Sequence, residues 1–346
     1  MVRQTVERIF PLLDPRLADE IARRWASLTK PPGSLGRLED LVLHYALIRG
    51  TALPVIQRKA IFIFCADHGV VAEKVSAFPQ QVTRQMVRNF LRGGAAINVL
   101  CRAAAIEPVV VDVGVCGPPE TGVLNYKVRE GTANFAYRQA MTTDEANAAL
   151  EIGIRLASDA AARYDVTGIG EMGIGNTTSA SALLSAFTGR DPFETAGRGA
   201  GVDAEGLQRK VAAIRQGLGV NRDLLVSPFG ILQAVGGLEI AAMAGFILGA
   251  AARRLPVVID GFIATAAAMV ARAMAPDSLD AAIFSHRSGE QAHEMMLRFL
   301  NVQPQIDLAM RLGEGTGAAL AIQLLENALR LYREMATFEE AQVSAR

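Results

Sequence analysis

Cysteine is scarce in this chain of 346 residues, and the cysteines present are poorly spaced for metal binding. Cys65, Cys101 and Cys116 are three in number, and none belongs to a C-x-x-C pair. A disulfide framework needs an even set, and a structural zinc site needs paired ligands at short spacing. The cysteine content argues against both and suits a reducing compartment, so we expect a cytoplasmic protein.

The sequence also lacks an excess of either charge and any long apolar segment. Lys+Arg and Asp+Glu number 35 each, whereas nucleic-acid or anionic-membrane partners favour a basic surface. We therefore expect small-molecule ligands, with no nucleic acid and no membrane. The N-terminal stretch has charges every few positions and no apolar core, so no secretory signal is expected.

The most apolar helical stretch is "IAAMAGFILGAAA", residues 240–252. It is shorter than the ~20 residues that cross a bilayer. Its Gly245 and Gly249 form a GxxxG pair, which predicts close backbone packing, either in the core or at a subunit contact.

Five short apolar runs each end in a polar or glycine-rich corner, and they cover residues 60–69, 107–117, 165–173, 255–262 and 280–290. Continuous rather than alternating apolar runs are typical of strands buried on both faces. Ala-rich helical stretches separate them, which predicts an α/β fold with a parallel, Rossmann-like sheet flanked by helices. Ligands of such sheets bind beyond the carboxyl ends of the strands, where these polar corners gather.

The two ends of the chain look predominantly helical. We predict a large α/β domain over residues 36–294, which carries the active site. Residues 1–35 and 295–346 are predicted to form a small helical domain together.

The stretch "GIGEMGIGNTTSASALL", residues 168–184, fits two phosphate-binding patterns incompletely. Its first three glycines spell the dinucleotide fingerprint G-x-G-x-x-G, but a charged Glu171 lies inside it. A P-loop would have Lys and Ser/Thr where Asn176 and Thr177 stand. A side chain among residues 176–178 is expected to cap the following helix and to leave N–H groups for a single phosphate. The alternative is a tight turn that needs glycine only for packing.

A second glycine-rich segment, "AGRGAGVD" over residues 196–203, precedes a predicted helix with Asp203 near its cap and Lys210 two turns in. Lys210 is a candidate counter-charge for a phosphate; on its own it is more typical of a solvated helix lysine. The run "VVVDVGV" is similar to the acidic strand of enzymes that bind phosphoribosyl pyrophosphate. It offers Asp112 alone where those enzymes have adjacent acids, which argues against a magnesium-pyrophosphate substrate.

His68 and His286 each stand at the end of an apolar run. Neither has a second histidine at the spacing of a metal-binding face, and His286 and His293 lie seven residues apart. Structural or hydrogen-bonding roles are therefore favoured over metal binding, and no metal site is predicted.

Glu314 stands between two glycines in "RLGEGTGAALA", just before an apolar helix. Its carboxylate is a candidate cap for that helix. It is equally a candidate general base, since glycines on both sides let a ligand lie close. The residues alone do not separate these alternatives.

Seven segments together resemble the nicotinate-nucleotide:dimethylbenzimidazole phosphoribosyltransferase family in order and spacing, and the resemblance covers nearly the whole chain. They are "KPPGSLGRLEDL" (30–41), "CADHGV" (65–70), "GEMGIGNTT" (170–178), "GGLEIAAMAG" (236–245), "DGFIATAAA" (260–268), "SHRSGEQ" (285–291) and "RLGEGTGAALA" (311–321).

The resemblance implies a homodimer that transfers the phosphoribosyl group of nicotinate mononucleotide to 5,6-dimethylbenzimidazole or a related base. The products would be α-ribazole 5′-phosphate and nicotinate, with inversion at ribose C1′. The leaving pyridinium is already cationic, so neither a metal nor a cofactor is implied.

The resemblance also implies roles for individual residues. The catalytic carboxylates would be Glu314, as the general base, and Glu171. The nucleotide and its phosphate would be bound by Gly173, Gly175, Asn176, Thr177, Thr178, Lys210 and Ser288. The base pocket, which varies within the family, would include Phe78, Gln85, Met172 and Leu312.

Two other functions remain as alternatives. One is an NAD(P)-dependent oxidoreductase that uses Gly168, Gly170 and Gly173 as its dinucleotide fingerprint. The other is a non-catalytic, nucleotide-sensing protein on the same scaffold.

Overall fold

The computed structural model describes residues 1–199 and 201–344, and its centre is a six-stranded sheet. All neighbouring strands run parallel, in the order β3-β2-β1-β4-β5-β6. The strands are β1 (Lys59–Ala66), β2 (Glu107–Gly114), β3 (Leu124–Asn125), β4 (Val166–Met172), β5 (Val257–Ile259) and β6 (Ala282–Phe284). Each of the five predicted runs overlaps with one strand, so the prediction of a parallel, Rossmann-like α/β sheet is confirmed. The two-residue β3 was not predicted.

Helices cover both faces of this sheet. They are α1 (Val2–Val6), α2 (Pro15–Ser27), α3 (Arg37–Arg49), α4 (Val82–Leu91), α5 (Ala96–Ala103), α6 (Thr143–Ala161), α7 (Asn176–Thr188), α8 (Pro192–Thr195), α9 (Ala204–Val220), α10 (Pro228–Val235), α11 (Leu238–Arg253), α12 (Phe262–Met274), α13 (His293–Leu300) and α14 (Thr316–Glu334).

Strand β1 shows why the apolar runs are continuous. All eight of its residues are buried, and alternate side chains point to opposite faces of the sheet. Phe62 and Phe64 face α11, where their ring centroids lie 4.8 and 5.9 Å from that of Phe246. Ile61 and Ile63 belong to a second core on the other face, which includes α14. One strand therefore serves two hydrophobic cores.

The GxxxG pair lies in the core, which is one of the two locations predicted for it. Helix α11 crosses α6 so closely that a Cβ on Gly245 would lie 2.0 Å from the carbonyl oxygen of Leu150. On the facing helix, a Cβ on Gly153 would lie 1.9 Å from the carbonyl oxygen of Ala242. Glycine on both helices thus permits backbone contact between them. No helix in the described part of the chain is both long and apolar enough to span a membrane.

The two ends of the chain meet, but they also join the sheet. Trp25 of α2 packs against Tyr332 of α14 with ring centroids 4.9 Å apart, and the Thr29 N–H donates to the carbonyl of Ala336. Helix α14 also shares a core with Ile61 of β1. The division into residues 36–294 and 1–35 plus 295–346 stays a prediction, and residue 295 itself lies within α13.

The α6–α11 contact gives a stability prediction. Gly245→Ala is expected to lower the free energy of unfolding by about 1–3 kcal/mol, because the new methyl group meets backbone that cannot rotate away. Gly219→Ala is the matched control in α9, since a Cβ there meets nothing within 4 Å. It should be neutral or raise stability by up to about 1 kcal/mol. Urea unfolding of both variants checks this, and equal stabilities would contradict the close helix contact.

Candidate active site

A cavity of about 420 Å³ opens beyond the carboxyl ends of β4, β5 and β6. It lies beside the point between β1 and β4 where the strand order reverses, which is where open parallel sheets bind ligands. Its polar lining comprises Glu171, Asn176, Thr177, Asp260, His286, Ser288, Glu290, Arg311 and Glu314. Its larger apolar lining residues are Phe78, Val82, Met86, Met172, Ile174, Phe262, Ile263 and Leu312.

Glu171 is the penultimate residue of β4, inside the strand rather than in the turn that follows it. Its side chain is buried, and Asn176 Nδ2 donates a hydrogen bond to its Oε2. Burial raises the pKa of this carboxyl well above its ordinary value, and the charges of Glu239 and Asp260 raise it further. Glu171 therefore contributes a carboxyl group that holds a proton more readily than an exposed one.

Glu314 lies on the loop before α14, in a run of three left-handed residues. Gly313, Glu314 and Gly315 have φ values of 86°, 64° and 87°. The Glu314 side chain is buried, and its Oε2 has no hydrogen-bond partner among the residues that the structure describes. Burial raises its pKa, the Ile97 N–H opposes this, and Asp260 adds to it. A buried carboxylate with a free oxygen and a raised pKa is suited to general-base catalysis.

The start of α14 is held by Asp260, which follows β5. Gly315 is the N-cap and makes no side-chain cap bond. The N–H groups of Gly315, Gly317 and Ala318 instead donate to the Asp260 carboxylate, over 3.1, 2.8 and 3.2 Å. The alternative in which Glu314 caps this helix is therefore wrong, because Asp260 occupies that role. Asp260 stands at a predicted strand end, but the sequence does not show that it pairs with a helix 55 residues away.

The glycines of the G-x-G-x-x-G motif serve packing rather than a dinucleotide. Gly168 and Gly170 lie inside β4. A Cβ on Gly170 would lie 2.2 Å from the backbone nitrogen of Gly315, and one on Gly168 would lie 3.0 Å from Ala318 Cβ. These two glycines let α14 and its preceding loop lie directly on the strand. The dinucleotide interpretation is wrong, since its first two glycines are covered by protein.

The N-terminus of α7 differs from the prediction in one respect. Its N-cap is Gly175, in the left-handed conformation at φ 97°, and no side chain caps it. Asn176 instead bonds to Glu171, and Thr177 accepts a hydrogen bond from Lys210. Thr178 is buried, and its hydroxyl has no partner within the described chain. The prediction of a capping side chain at 176–178 is therefore wrong: Asn176 and Thr177 bond to other residues, and Thr178 makes no side-chain hydrogen bond in the described chain.

Lys210 lies one layer behind the cavity wall. Its side chain is buried, and its Nζ donates to Thr177 Oγ1 over 2.9 Å and to the Gly197 carbonyl over 3.0 Å. Burial lowers the pKa of Lys210 to about 8, and the charge of Glu290 opposes that change. The predicted cap of its helix is confirmed, because Asp203 accepts from the Gly206 N–H over 2.7 Å. Lys210 is thus a buried cation rather than a solvated lysine.

Ser288 is held in the cavity wall by a buried histidine. Its N–H donates to His293 Nδ1 over 2.8 Å, and His293 Nε2 lies 2.9 Å from Thr265 Oγ1. Nδ1 must then be the acceptor and Nε2 the donor, which is the neutral form. Burial and the neighbouring His286 lower the pKa of His293 to about 3. Nothing in the sequence pattern connects His293 with Ser288.

The other two histidines that were considered as ligands also make hydrogen bonds. His68 Nε2 lies 2.6 Å from Glu239 Oε1, and both side chains are fully buried. His286 Nδ1 lies 3.0 Å from Ser285 Oγ and 3.8 Å from Asp260 Oδ1. Within residues 1–199 and 201–344, no group of three or more His, Cys, Asp or Glu is placed to hold a metal ion.

Three of the four residues predicted for a base pocket belong to the apolar lining of the cavity. Phe78, Met172 and Leu312 line it. Gln85 does not, because it stands one residue before Met86, about 100° around α4, and faces a separate cavity with Arg84 and Cys116. Val82 and Met86 line the site instead. Their spacing of four places them on one face of α4, a signal that could have been found in the sequence.

Most of the predicted site residues are brought together. Among those predicted for the nucleotide and phosphate, Gly173, Asn176, Thr177 and Ser288 line the cavity. Gly175, Thr178 and Lys210 stand behind its wall. The sequence reasoning did not assign Asp260, Glu290 or Arg311 to the site.

Comparison with known proteins gives one consistent result. A family model described as "Phosphoribosyltransferase" matches residues 10–343. A nicotinate-nucleotide–dimethylbenzimidazole phosphoribosyltransferase of Desulforamulus reducens is 50% identical over 335 residues, which cover 96% of this chain and 95% of that protein. One of the same name from Chloroflexus aurantiacus is 48% identical over 99% of each chain. The crystal structure of CobT from Thermus thermophilus matches with a TM-score of 0.90 at 45% identity, over 96% of this chain and 100% of that one.

The buried neutral His293 gives a prediction for acid stability. Its pKa in the folded protein, about 3, lies below its ordinary value of 6.5, so the unfolded chain takes up this proton first. The stabilising contribution is complete above pH 6.5 and is lost as the pH falls towards 3. This residue adds up to about 1.4 kcal/mol per pH unit to the acid slope of the unfolding free energy. His293→Gln should show a shallower slope between pH 6 and 4 in urea titrations; a slope as steep as that of the wild type would contradict the neutral assignment.

Proposed function

This chain belongs to the phosphoribosyltransferase family matched above, and we propose that it catalyses the reaction after which its relatives are named. In that reaction, the phosphoribosyl group of nicotinate mononucleotide passes to 5,6-dimethylbenzimidazole or a related base. The products are α-ribazole 5′-phosphate and nicotinate. The observation that carries the proposal is Glu314, a cavity-lining residue whose buried Oε2 has no hydrogen-bond partner in the described chain, within a lining that combines polar and apolar side chains.

The chemistry needs a base more than it needs an acid. The pyridinium of nicotinate mononucleotide leaves as a neutral pyridine ring, so its departure requires no protonation. One benzimidazole nitrogen attacks ribose C1′ as the bond from C1′ to the pyridinium breaks. The proton on the other benzimidazole nitrogen passes to Glu314, which balances the charge. Attack opposite the leaving group inverts C1′ and gives the α product.

The apolar side of the cavity suits a flat aromatic base. Phe78 is 49% and Leu312 58% exposed, although both are large apolar side chains at the cavity. Exposed apolar surface beside polar groups is typical of a binding site. We assign the benzimidazole to this side, among Phe78, Val82, Met86, Met172 and Leu312.

The polar side suits a ribose phosphate. Thr177, Ser288 and Arg311 line it, and Lys210 supports it from behind through Thr177. Arg311 also donates to the Gly199 carbonyl over 3.0 Å, which holds its guanidinium beside this wall. We assign the 5′-phosphate here. Glu171 also lines the cavity, and we propose that it contacts the sugar or assists Glu314.

The two alternatives make different predictions. An oxidoreductase would bind NAD(P), but the first two glycines of its fingerprint are buried in β4 against α14. A nucleotide sensor would bind nicotinate mononucleotide and release no nicotinate when a benzimidazole is added. Chromatography of a reaction with both substrates tests the proposal directly. We further propose a cytoplasmic homodimer, as the resemblance implies.

Lys210 gives a prediction about nucleotide binding. Lys210→Met keeps most of the buried packing and removes the charge, so the Kd for nicotinate mononucleotide should rise about tenfold or more. Turnover at saturation should change less, because the phosphate is bound alike in the ground and transition states. In the wild type, affinity should also fall as the pH rises through about 8, where free Lys210 loses its proton.

Calorimetric titration from pH 7 to 9 measures both effects of Lys210. Lys59→Met is the control, because Lys59 is also a buried lysine but pairs with Glu326 away from the cavity. It should leave the Kd unchanged. Wild-type affinity in Lys210→Met would remove Lys210 from the phosphate site.

Glu314 gives a prediction about the chemical step. Glu314→Gln keeps the shape of the side chain and removes the base, so kcat should fall about 10² to 10⁴-fold. The melting temperature should hardly change, because Asp260 holds the helix. The loss of kcat should be smaller with a more acidic benzimidazole, because its N–H proton is removed more easily without a general base. In the wild type, kcat/KM should fall on acidification at a pH above the ordinary glutamate pKa, since burial raises that of Glu314.

Steady-state kinetics and thermal unfolding of Glu314→Gln test this role. Glu326→Gln is the control, in the helix that follows Glu314, since Glu326 pairs with Lys59 rather than facing the cavity. Near-normal turnover of Glu314→Gln together with a large fall in melting temperature would show a structural role instead.

A further inference from the structure

Glu314 is held in a conformation that it would not adopt unaided. Its φ of 64° is left-handed, a region that residues with a Cβ rarely occupy. The side chain makes no compensating bond through Oε2 within the described chain. The backbone on either side must therefore be fixed by other groups. Within the loop itself, the N–H and Oγ1 of Thr316 both donate to the Gly313 carbonyl, over 3.1 and 2.8 Å.

Two further contacts join this backbone to other elements. On one side, Gly170 of β4 leaves room for the loop, because a Cβ there would lie 2.5 Å from the carbonyl carbon of Glu314. On the other side, Asp260 Oδ2 accepts the N–H of Gly315, the residue directly after Glu314. The absence of a side chain at Gly170 only permits the loop conformation, whereas the hydrogen bond to Asp260 stabilises it. Asp260 is thus the group that ties the position of Glu314 to strand β5.

Asp260 is itself unsuited to removing a proton. Its Oδ1 accepts two N–H groups, from Gly317 and Ala318, and its Oδ2 accepts the third. Ser285 Oγ donates to its backbone carbonyl over 2.8 Å, which fixes the residue further. A carboxylate with both oxygens engaged orients its donors rather than exchanging protons with a ligand.

We propose that Asp260 is a positioning residue, which acts on the reaction by holding Glu314 against the benzimidazole N–H. This inference rests on the proposed function for its kinetic consequence. Its structural part, the anchoring of residues 313–318, does not depend on which reaction the protein catalyses.

The Asp260→Asn variant separates two roles of Asp260: the bond to Gly315, which anchors the loop, and the bonds to Gly317 and Ala318, which cap α14. The amide oxygen is expected to keep the position of Oδ1, because two N–H groups converge there. The amide NH₂ then faces the N–H of Gly315, so this one bond is lost. We expect kcat to fall about 10- to 100-fold, the size expected when a reacting group is displaced by about 1 Å. The KM for nicotinate mononucleotide should stay within about twofold, since the phosphate side is untouched.

A double-mutant cycle with Glu314→Gln tests whether Asp260 acts through Glu314. If it does, Asp260→Asn should cause no further loss of kcat, beyond about threefold, once Glu314 has been replaced. A merely structural role would reduce kcat by the same factor in both backgrounds, and that result would overturn the proposal. A KM that rises as much as kcat falls would overturn it too.

Hydrogen exchange gives a readout that does not need turnover. Peptides covering residues 313–318 should exchange faster in Asp260→Asn than in the wild type. Asp14→Asn is the matched control, because Asp14 accepts from Leu17 at the start of α2, far along the chain from the site. It should leave exchange in these peptides and kcat unchanged.

These measurements distinguish the two proposals. If the wild type releases no nicotinate while residues 313–318 exchange faster in Asp260→Asn, the proposed function is rejected and the anchoring role of Asp260 stands. Unchanged exchange in Asp260→Asn would overturn the positioning role whatever the activity.

Discussion

The close contact between strand β4 and the loop before α14 is the constraint on which the site depends. Gly170 has no side chain, so the loop can lie against the strand, and Asp260 holds it there through the N–H groups that begin α14. This contact places Glu171, from the strand, and Glu314, from the loop, in the walls of one cavity. The same contact covers Gly168 and Gly170, which leaves them no role in binding a nucleotide.

The site gathers four buried carboxyl groups, and their partners decide what each can do. Glu239 pairs with His68, Asp260 accepts three backbone N–H groups, and Glu171 accepts from Asn176. Glu171 and Glu314 both line the cavity, but of these two only Glu314 has a fully buried oxygen, Oε2, with no hydrogen-bond partner in the described chain. The charges of Glu239 and Asp260 add to the effect of burial on the pKa of Glu171. The neighbours thus differentiate chemically similar side chains.

The sheet and its binding edge could be predicted from the sequence, because continuous apolar runs report burial on both faces. The prediction failed where the outcome depends on long-range contacts. Glycines in "GIGEMG" look alike whether they bind a phosphate or admit a neighbouring loop, and only the position of α14 separates the two. Asn176 has the chemistry of a helix cap, but Glu171 competes for it. The resemblance alone assigns Gln85 to a base pocket, and the rotation of α4 turns Met86, not Gln85, towards the cavity.

The alternation along β1 has a consequence for how the protein tolerates change. Phe62 and Phe64 fill a core on one face of the sheet, while Ile61 and Ile63 fill a different core on the other. The insertion or deletion of a single residue within this strand would exchange the two sets, so aromatic rings would enter the space shaped for isoleucine and the reverse. Because both cores share this strand, shifting its residues to restore the packing of one core would disturb the packing of the other. The central strand is therefore fixed in length as well as in composition, whereas the exposed connections can vary in both.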